Sequence, residues 1–573
     1  MTAQAPDIPV FDTQSESGPP VRSPDYGRSP RPSLIYGLII GYCILHFLIR
    51  LFTSPVFSID EAEQLLMSQS LDIGYRFRHP PLITWIYALA DMTVGLSRPV
   101  FFLLKYAIMA AGLLAFYEAA RNVFRWYDRS TASMNERLDL SAAAVAAWSL
   151  VYYPAWGHHE DLMHTVLLFT MLALSLHAFT LAIVTSKAHH WAYFGVTIGF
   201  GFLSKYVHVM LPAALILAGL SIKTLTRKER DADGRMVEGR VSLNKIFYAV
   251  LIGAAIVAPY GIWTWQTQHS LIDLAGSVTQ AEAVTQDAGG LKAMALAVLS
   301  SRAEGLASLA QALAEFSLPL SLFFLMLFWP MWFPFVYPFF PRRDVYEDPS
   351  DIVWRKLMSR TMLFAAGFYL VAVLAGAESF KARWMHQALM TLPIWLFLQV
   401  QRSGPYFIAM RAYAALAILF VVAVAGARVI EWREDIKNCS GCHAYQPMEA
   451  WADALTRDEG FRGGTVVGAD YLLTGNLRYY LKDTRAVDAE FELSAYPRPG
   501  REAGGGDCLA VWRDNLDESP DMPQRLATYL RDDMGVRVDN TAPQGAVRRY
   551  LIMSDEKASV LYYRYLRPNE SCR

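Results

Sequence analysis

Charge is scarce in this chain. Of its 573 residues only 18% are Asp, Glu, Lys or Arg, whereas 54% are hydrophobic, a balance that a soluble globular chain of this size does not carry. The 52 basic residues face 53 acidic ones, for a net charge of −1, so the basic surplus of a nucleic-acid-binding protein is missing and nucleic acid is excluded as a partner. No apolar core marks a cleavable signal peptide in the first 33 residues, which are rich in Pro, Ser and Asp and read as a disordered tail. No repeat of 20–50 residues is apparent, which argues against a solenoid. Nor are there two related halves with paired broken helices, as a transporter would present. Cysteine is rare, five in all, and four of them (Cys439, Cys442, Cys508 and Cys572) fall in the carboxy-terminal quarter.

What the sequence does have is long apolar runs and many aromatics, with 15 Trp, 29 Tyr and 31 Phe. Leu34 to Phe52 matches the roughly 20 residues needed to cross ~30 Å of hydrocarbon. Its twelve Leu, Ile or Phe residues contribute on the order of −5 kcal/mol to insertion, more than the single Arg50 costs, and Arg50 near its end is expected to snorkel. Ten further runs follow at about Val100–Ala120, Leu140–Tyr153, Leu162–Val184, Trp191–Leu203, Val207–Ile222, Ile246–Trp265, Phe316–Phe335, Met358–Ala377, Met385–Gln399 and Ala412–Ile430. The expected fold is a polytopic α-helical membrane protein with about 11 transmembrane helices over residues 34–430.

With a cytoplasmic amino terminus (residues 1–33), the loops holding Arg121, Arg125, Arg129 and Arg137, then Lys223 to Lys245, then Arg342, Arg343, Arg355 and Lys356 lie inside, as the positive-inside rule requires. The same count places Thr53–Ser97, Ala155–Asp161, Gln266–Glu315 and Glu378–Trp384 outside. The tail at 431–573 is then also external, where an oxidising periplasm permits disulfides. In that tail strand-like runs (Gly464–Ala469, Cys508–Trp512) alternate with helical patterns (Glu449–Phe461, Tyr471–Leu481), which predicts a small periplasmic α/β domain.

Chemistry concentrates on the outer side. The first external loop reads Phe57-Ser58-Ile59-Asp60-Glu61-Ala62-Glu63 and then Tyr75-Arg76-Phe77-Arg78-His79-Pro80-Pro81-Leu82. Acids beside cations at a lipid surface are what glycosyl transfer with a phosphate leaving group requires: a carboxylate to take the acceptor's proton, and cations to hold the phosphate. The same residues also read structurally. Ser58 and Glu61 fit a capping box with Asp60 favoured in the first helical turn, and Arg76 and Arg78 fit headgroup anchors. The long loop Gln266–Glu315 carries apolar residues at helical spacing (Ala293, Leu296, Leu299, Leu306, Leu309), either an amphipathic lid over the site or a helix packed on the outer domain.

The order Asp60-Glu61-Ala62, then His79-Pro80-Pro81-Leu82 and an apolar helix, resembles the first periplasmic loop of the GT-C fold enzymes related to protein O-mannosyltransferases and to the aminoarabinose transferase of lipid A. Three more segments fit: His158-His159-Glu160-Asp161-Leu162 is similar to the second-loop acidic motif, Gly201-Phe202-Leu203-Ser204-Lys205-Tyr206 to the lysine-bearing turn, and Phe380-Lys381-Ala382-Arg383-Trp384-Met385-His386 to the late external loop. The resemblance covers about residues 34–400. It implies a sugar donor linked to polyprenyl phosphate, a lipid or protein acceptor at the outer leaflet of the bacterial inner membrane, and an inverting transfer. By analogy Asp60 is the general base, Glu61 and Asp161 position it or the acceptor, and Lys205, Arg383, Arg78 and His79 hold the lipid phosphate, with His386, His159 and Glu160 further substrate contacts. The paired histidines depart from the family pattern. For His158 and His159, ligation of a divalent metal, substrate contact and an interfacial structural role all stay open, and with no third ligand in view no metal set is assigned.

Cys439-Ser440-Gly441-Cys442-His443 also fits the C-x-x-C-H pattern of c-type haem attachment, with Met448 a weak second axial ligand. Disulfides compete for those thiols and weigh against haem. A lipid or glycan transporter and a membrane-anchored haem protein are the alternatives to a transferase.

Overall fold

The computed structural model describes residues 32–572 apart from 77–78, 125–138, 162, 231–235, 268–290, 333–348, 404–406, 440–441, 483, 499–505 and 514–519. The predicted tail up to residue 31, Arg78, and the loop arginines 125, 129, 137, 235, 342 and 343 therefore lie outside the described residues.

Among the described residues six helices are long and apolar enough to span a membrane: Pro32–Phe52, Arg98–Phe124, Met163–Thr185, Leu243–Gln266, Asp351–Ala375 and Ile408–Glu434. Several other predicted runs form shorter helices, including Leu140–Ala146, Ala188–Ser204, Met210–Leu220 and Leu392–Ser403. The run predicted at Phe316–Phe335 is broken at Pro319, giving Leu320–Leu327 and Trp329–Trp332. Helix packing leans on small residues, as lipid supplies no hydrophobic drive between helices. At Gly195 a Cβ would strike the backbone carbonyl of Ala249, so glycine there sets how closely Ala188–Ser204 and Leu243–Gln266 approach. The helix Leu291–Ser317 packs on the segment around Arg383, with the Phe380 N–H donating to Ser308 Oγ at 2.8 Å.

The carboxy-terminal residues form a five-stranded sheet. Gly464–Gly468 lies parallel between Arg485–Asp488 and Asp507–Arg513. Ala558–Leu566 runs antiparallel to Asp507–Arg513, and Gly545–Tyr550 closes the edge. Strand alternation divides the core in two. Val467, Ala510 and Trp512 face Leu526 and Leu530, while Val466, Leu509 and Val511 face Trp451, Leu455, Leu473 and Leu477. Disulfides join Cys508 to Cys572 and Cys439 to Cys442, with Cα separations of 5.4 and 5.0 Å.

This sheet and its helices are seated on the loop that follows the first spanning helix. The loop helix Ile59–Met67 contributes Ala62 to one of the two cores and Leu66 and Met67 to the other. Helix Tyr471–Tyr480 lies against it, and Gly475 permits the approach, since a Cβ there would collide with the Ala62 carbonyl. Asn476 then grips the backbone just ahead of the acids. Its Oδ1 accepts the Phe57 N–H at 2.9 Å and its Nδ2 donates to the Phe57 carbonyl at 3.0 Å. Gln69 makes the matching reciprocal pair with the Ala486 backbone, at 2.8 and 2.9 Å. Asn476→Ala leaves both Phe57 groups buried and unpaired, so we expect a loss of about 2–4 kcal/mol, read as a lowered unfolding midpoint in detergent. An unchanged midpoint would show that the domain is seated by other contacts.

Candidate active site

Ser58, in extended backbone, ends the loop and starts the Ile59–Met67 helix. Its N–H donates to Glu61 Oε2 at 3.0 Å, one arm of the expected capping box. The Ser58 side chain faces the Glu61 backbone to complete the box, and its hydroxyl also donates to Asp161 Oδ1 at 2.8 Å, an oxygen that accepts the Asp60 N–H at 3.0 Å. Asp161 thus caps the helix from the second loop, where the helix dipole favours an anion. Two loops about a hundred residues apart are brought together there, with Asp60 and Asp161 side by side.

Glu61 points the other way and is fully buried. Arg50 Nη2 meets its Oε2 at 2.5 Å, and Lys105 Nζ its Oε1 at 3.2 Å. Burial alone would raise the Glu61 carboxyl, but Arg50 and Lys105 overcome it and hold the group at about 2. Arg50 therefore does not snorkel. It is 5% exposed, turned inward, and also donates to the Ser54 and Val56 carbonyls at 3.0 and 2.9 Å. The reason is the buried negative charge of Glu61, which makes an inward path cheaper than a lipid-facing one. Lys105, within the apolar helix Arg98–Phe124, went unremarked in the sequence, although a cation inside such a run is itself a signal.

Asp60 is pushed above the usual carboxylate range by burial and by the charge of Glu63, against the downward pull of Lys205, Arg383 and Lys105. Asp161 is pushed up as well, by burial and then by Asp60 and Glu61. Two neighbouring carboxylates thus both hold protons more tightly than in water, burial being the first cause in each. Lys205 sits in extended backbone at the break after Ala188–Ser204, and Arg383 lies in the single turn Ala382–Met385, so each cation projects from an irregular segment.

His386 is buried, and its ring Nδ1 contacts the Arg383 carbonyl at 2.8 Å, so it braces the turn that carries the guanidinium. Its ring stacks 5.0 Å from that of His158. His159 lies in a separate buried knot, bonded to the Tyr42 hydroxyl at 2.7 Å and stacked 3.7 Å from His46, with its carbonyl taken by Arg428. The side chain of Glu160 is held by the Trp156 indole. Arg76, one of the expected headgroup anchors, is turned into protein: it donates to Glu63 at 2.7 Å, and its guanidinium lies 3.9 Å from the Phe491 ring centre.

Among the described residues, neither His158 nor His159 belongs to the group of side chains placed to share a metal ion. That group is Glu63, His79 and His164, whose ligand atoms lie within 4.8 Å of one another. His164 was not singled out in the sequence, because a histidine inside an apolar helix gives no local pattern. Cys439 and Cys442 are joined to each other, the disulfide alternative that the sequence set against haem attachment.

No protein-family model matches the chain. Two curated relatives from Rhizobium johnstonii align along nearly all of it. The lipopolysaccharide core galacturonosyltransferase RgtB is 25% identical over 90% of this chain and 93% of its own length. The lipopolysaccharide core galacturonosyltransferase RgtA is 24% identical over 88% and 92%. Among solved structures, ArnT from Cupriavidus metallidurans bound to undecaprenyl phosphate superposes with a TM-score of 0.53 at 11% identity, covering 93% of this chain and 98% of that one. The chain is thus a polytopic membrane protein with the GT-C glycosyltransferase fold, similar in sequence to lipopolysaccharide galacturonosyltransferases.

Proposed function

We propose that this protein transfers a sugar, a uronic acid of the galacturonate type, from a polyprenyl-phosphate donor to a lipopolysaccharide-type acceptor on the periplasmic face of the inner membrane. The observation that carries the reading is the meeting of Asp60 and Asp161 at one helix start, with the charges of Lys205 and Arg383 acting on the same carboxylate. The similarity to two lipopolysaccharide core galacturonosyltransferases over about nine-tenths of the chain supports the sugar and the acceptor class. The fold supports a lipid-linked donor over a transporter reading.

In the proposed reaction Asp60 takes the proton of an acceptor hydroxyl as its oxygen attacks the anomeric carbon. The bond from that carbon to the phosphate oxygen breaks, and its electron pair leaves with the polyprenyl phosphate. Attack opposite the leaving group inverts the anomeric centre. Lys205 and Arg383 stabilise the phosphate as its charge develops, an electrostatic effect strongest in a site poor in water. Asp161 fixes the Asp60 backbone and keeps a second carboxylate within reach of the moving proton. Glu61, locked between Arg50 and Lys105, positions the helix and stays ionised throughout.

Asp60→Asn keeps the shape and removes the base, so transfer should fall by about 100- to 10,000-fold while binding of undecaprenyl phosphate persists. The readout is the envelope glycolipid profile of a deletion strain complemented with the variant, where one uronic-acid mass should stay missing. Full restoration of that mass would refute Asp60 as base. Arg383→Ala should cost about 100- to 1,000-fold in kcat and weaken the donor, measured with purified protein. Glu63→Gln gives a signed test. Glu63 raises Asp60, so its neutralisation lowers the carboxyl and the acidic limb of the pH–rate profile moves to lower pH, the limb reporting the coupled pair. A limb that stays put or moves upward would contradict the assignment.

A further inference from the structure

Among the described residues from 431 onward, two large hydrophobic side chains are exposed, Tyr550 at 62% and Met553 at 50%. Both belong to one hairpin, formed by Gly545–Tyr550, a seven-residue turn and Ala558–Leu566. The turn is ordered by its own hydrogen bonds: the Leu551 N–H donates to the Lys557 carbonyl at 2.9 Å, and the Lys557 N–H to Ser554 Oγ at 2.9 Å. Scattered apolar groups on a surface need no explanation, but two that converge on one turn gain meaning from where the turn lies.

It is docked on the exit of the spanning helix Ile408–Glu434. Lys557 Nζ donates to the Ile436 and Lys437 carbonyls, each at 2.8 Å, and Leu551 and Ile552 pack with Trp432, Ile436 and Tyr445. The Ile552 N–H donates to the Tyr445 carbonyl at 2.8 Å, while the Tyr445 hydroxyl donates to the Trp432 carbonyl at 2.6 Å. The apolar run of that helix ends at Ile430, ahead of Glu431. At the helical rise of about 1.5 Å per residue, Trp432 and Ile436 stand at most about 3 and 9 Å beyond it. The headgroup layer on each side of the hydrocarbon is roughly 5–8 Å deep. Tyr550 and Met553 are the chain neighbours of Leu551 and Ile552, and adjacent Cα atoms are about 3.8 Å apart, so both are held near that level.

We infer that the tip of this hairpin rests on the bilayer surface, with Tyr550 and Met553 as its contacts in the headgroup layer. A tyrosine suits that layer, its ring apolar and its hydroxyl wet. Exposed Arg548, two residues before Tyr550 on the same face of the strand, can reach lipid phosphate. Asp555 and Glu556, exposed in the same turn, offset that charge, so a neutral lipid surface suffices. Sheet order gives the contact a purpose. Arg485–Asp488 is one edge of the sheet and Gly545–Tyr550 the other. The first edge is tied to the acid-bearing loop through Gln69 and Ala486, and the hairpin supplies a second footing at the opposite edge. One support would leave the sheet free to rock over the membrane, whereas two fix its tilt. The inference goes beyond the reaction proposed above and does not depend on it.

The test is a depth measurement on the full-length chain in phosphatidylcholine nanodiscs. Met553→Cys accepts a single bimane label, because Cys43 is buried and the other four cysteines are joined in disulfides. Its emission should fall by about twofold or more when lipids carrying a headgroup nitroxide are included, and iodide in the water should quench it less than in detergent-free unfolded protein. Tyr550→Cys, labelled in the same way, reads the contact from the other end of the turn and should respond alike. Emission that ignores the nitroxide lipid at both positions, with iodide quenching as strong as in the unfolded chain, would overturn the inference and leave the exposed pair to a protein partner.

Discussion

Everything at the site hangs on one buried carboxylate. Glu61 is enclosed between Arg50 of the first membrane helix and Lys105 of the next spanning helix, and the same residue closes the start of the helix that carries Asp60. Removing one partner of such a buried group typically costs about 3–5 kcal/mol, because the remaining charge is left in a poor solvent. The arrangement is therefore all or nothing, and Asp60, the proposed base one residue before the locked acid, inherits its rigidity. Asp60 can be displaced only if two membrane helices move with it.

The neighbouring carboxylates divide the work by environment. Glu61 is surrounded by cations and stays ionised, whereas Asp60 and Asp161 are buried beside each other and hold protons more tightly than usual. Three acids within two loops thus acquire different chemistry without differing in type. The carboxy-terminal domain contributes to this directly. Its cores take in Ala62, Leu66 and Met67, so the acid-bearing helix is as much a part of that domain as of the membrane body.

Much of this was legible locally. Ser58 and the acids after it announce a helix start, Pro80 and Pro81 precede the helix Leu82–Val94, and Gly464–Gly468 and Asp507–Arg513 fall where alternation placed strands. The bends that carry Lys205 and Arg383 also lie at the motifs. What escaped was partnership. Met163–Thr185 and Leu243–Gln266 have similar mean hydropathy, 2.2 and 1.9, yet 83% of one and 17% of the other is enclosed by protein. Composition records that a helix avoids water and is silent on whether lipid or protein replaces it. For that reason the inward turn of Arg50, the role of Lys105 and the diversion of His159 to Tyr42 and His46 were hidden, as was the grip of Asn476 on Phe57.

That grip joins residues 419 positions apart. At ordinary elongation speeds of about 5–20 residues per second, Asn476 is made on the order of 20–80 s after Phe57. For that interval the acids can already be held by Arg50, Lys105 and Asp161 but lack the grip of Asn476 on the backbone ahead of them. Seating of the carboxy-terminal sheet on the acid-bearing helix is thus a late event, and a ribosome that stalls early releases an inserted bundle whose acids lack that support.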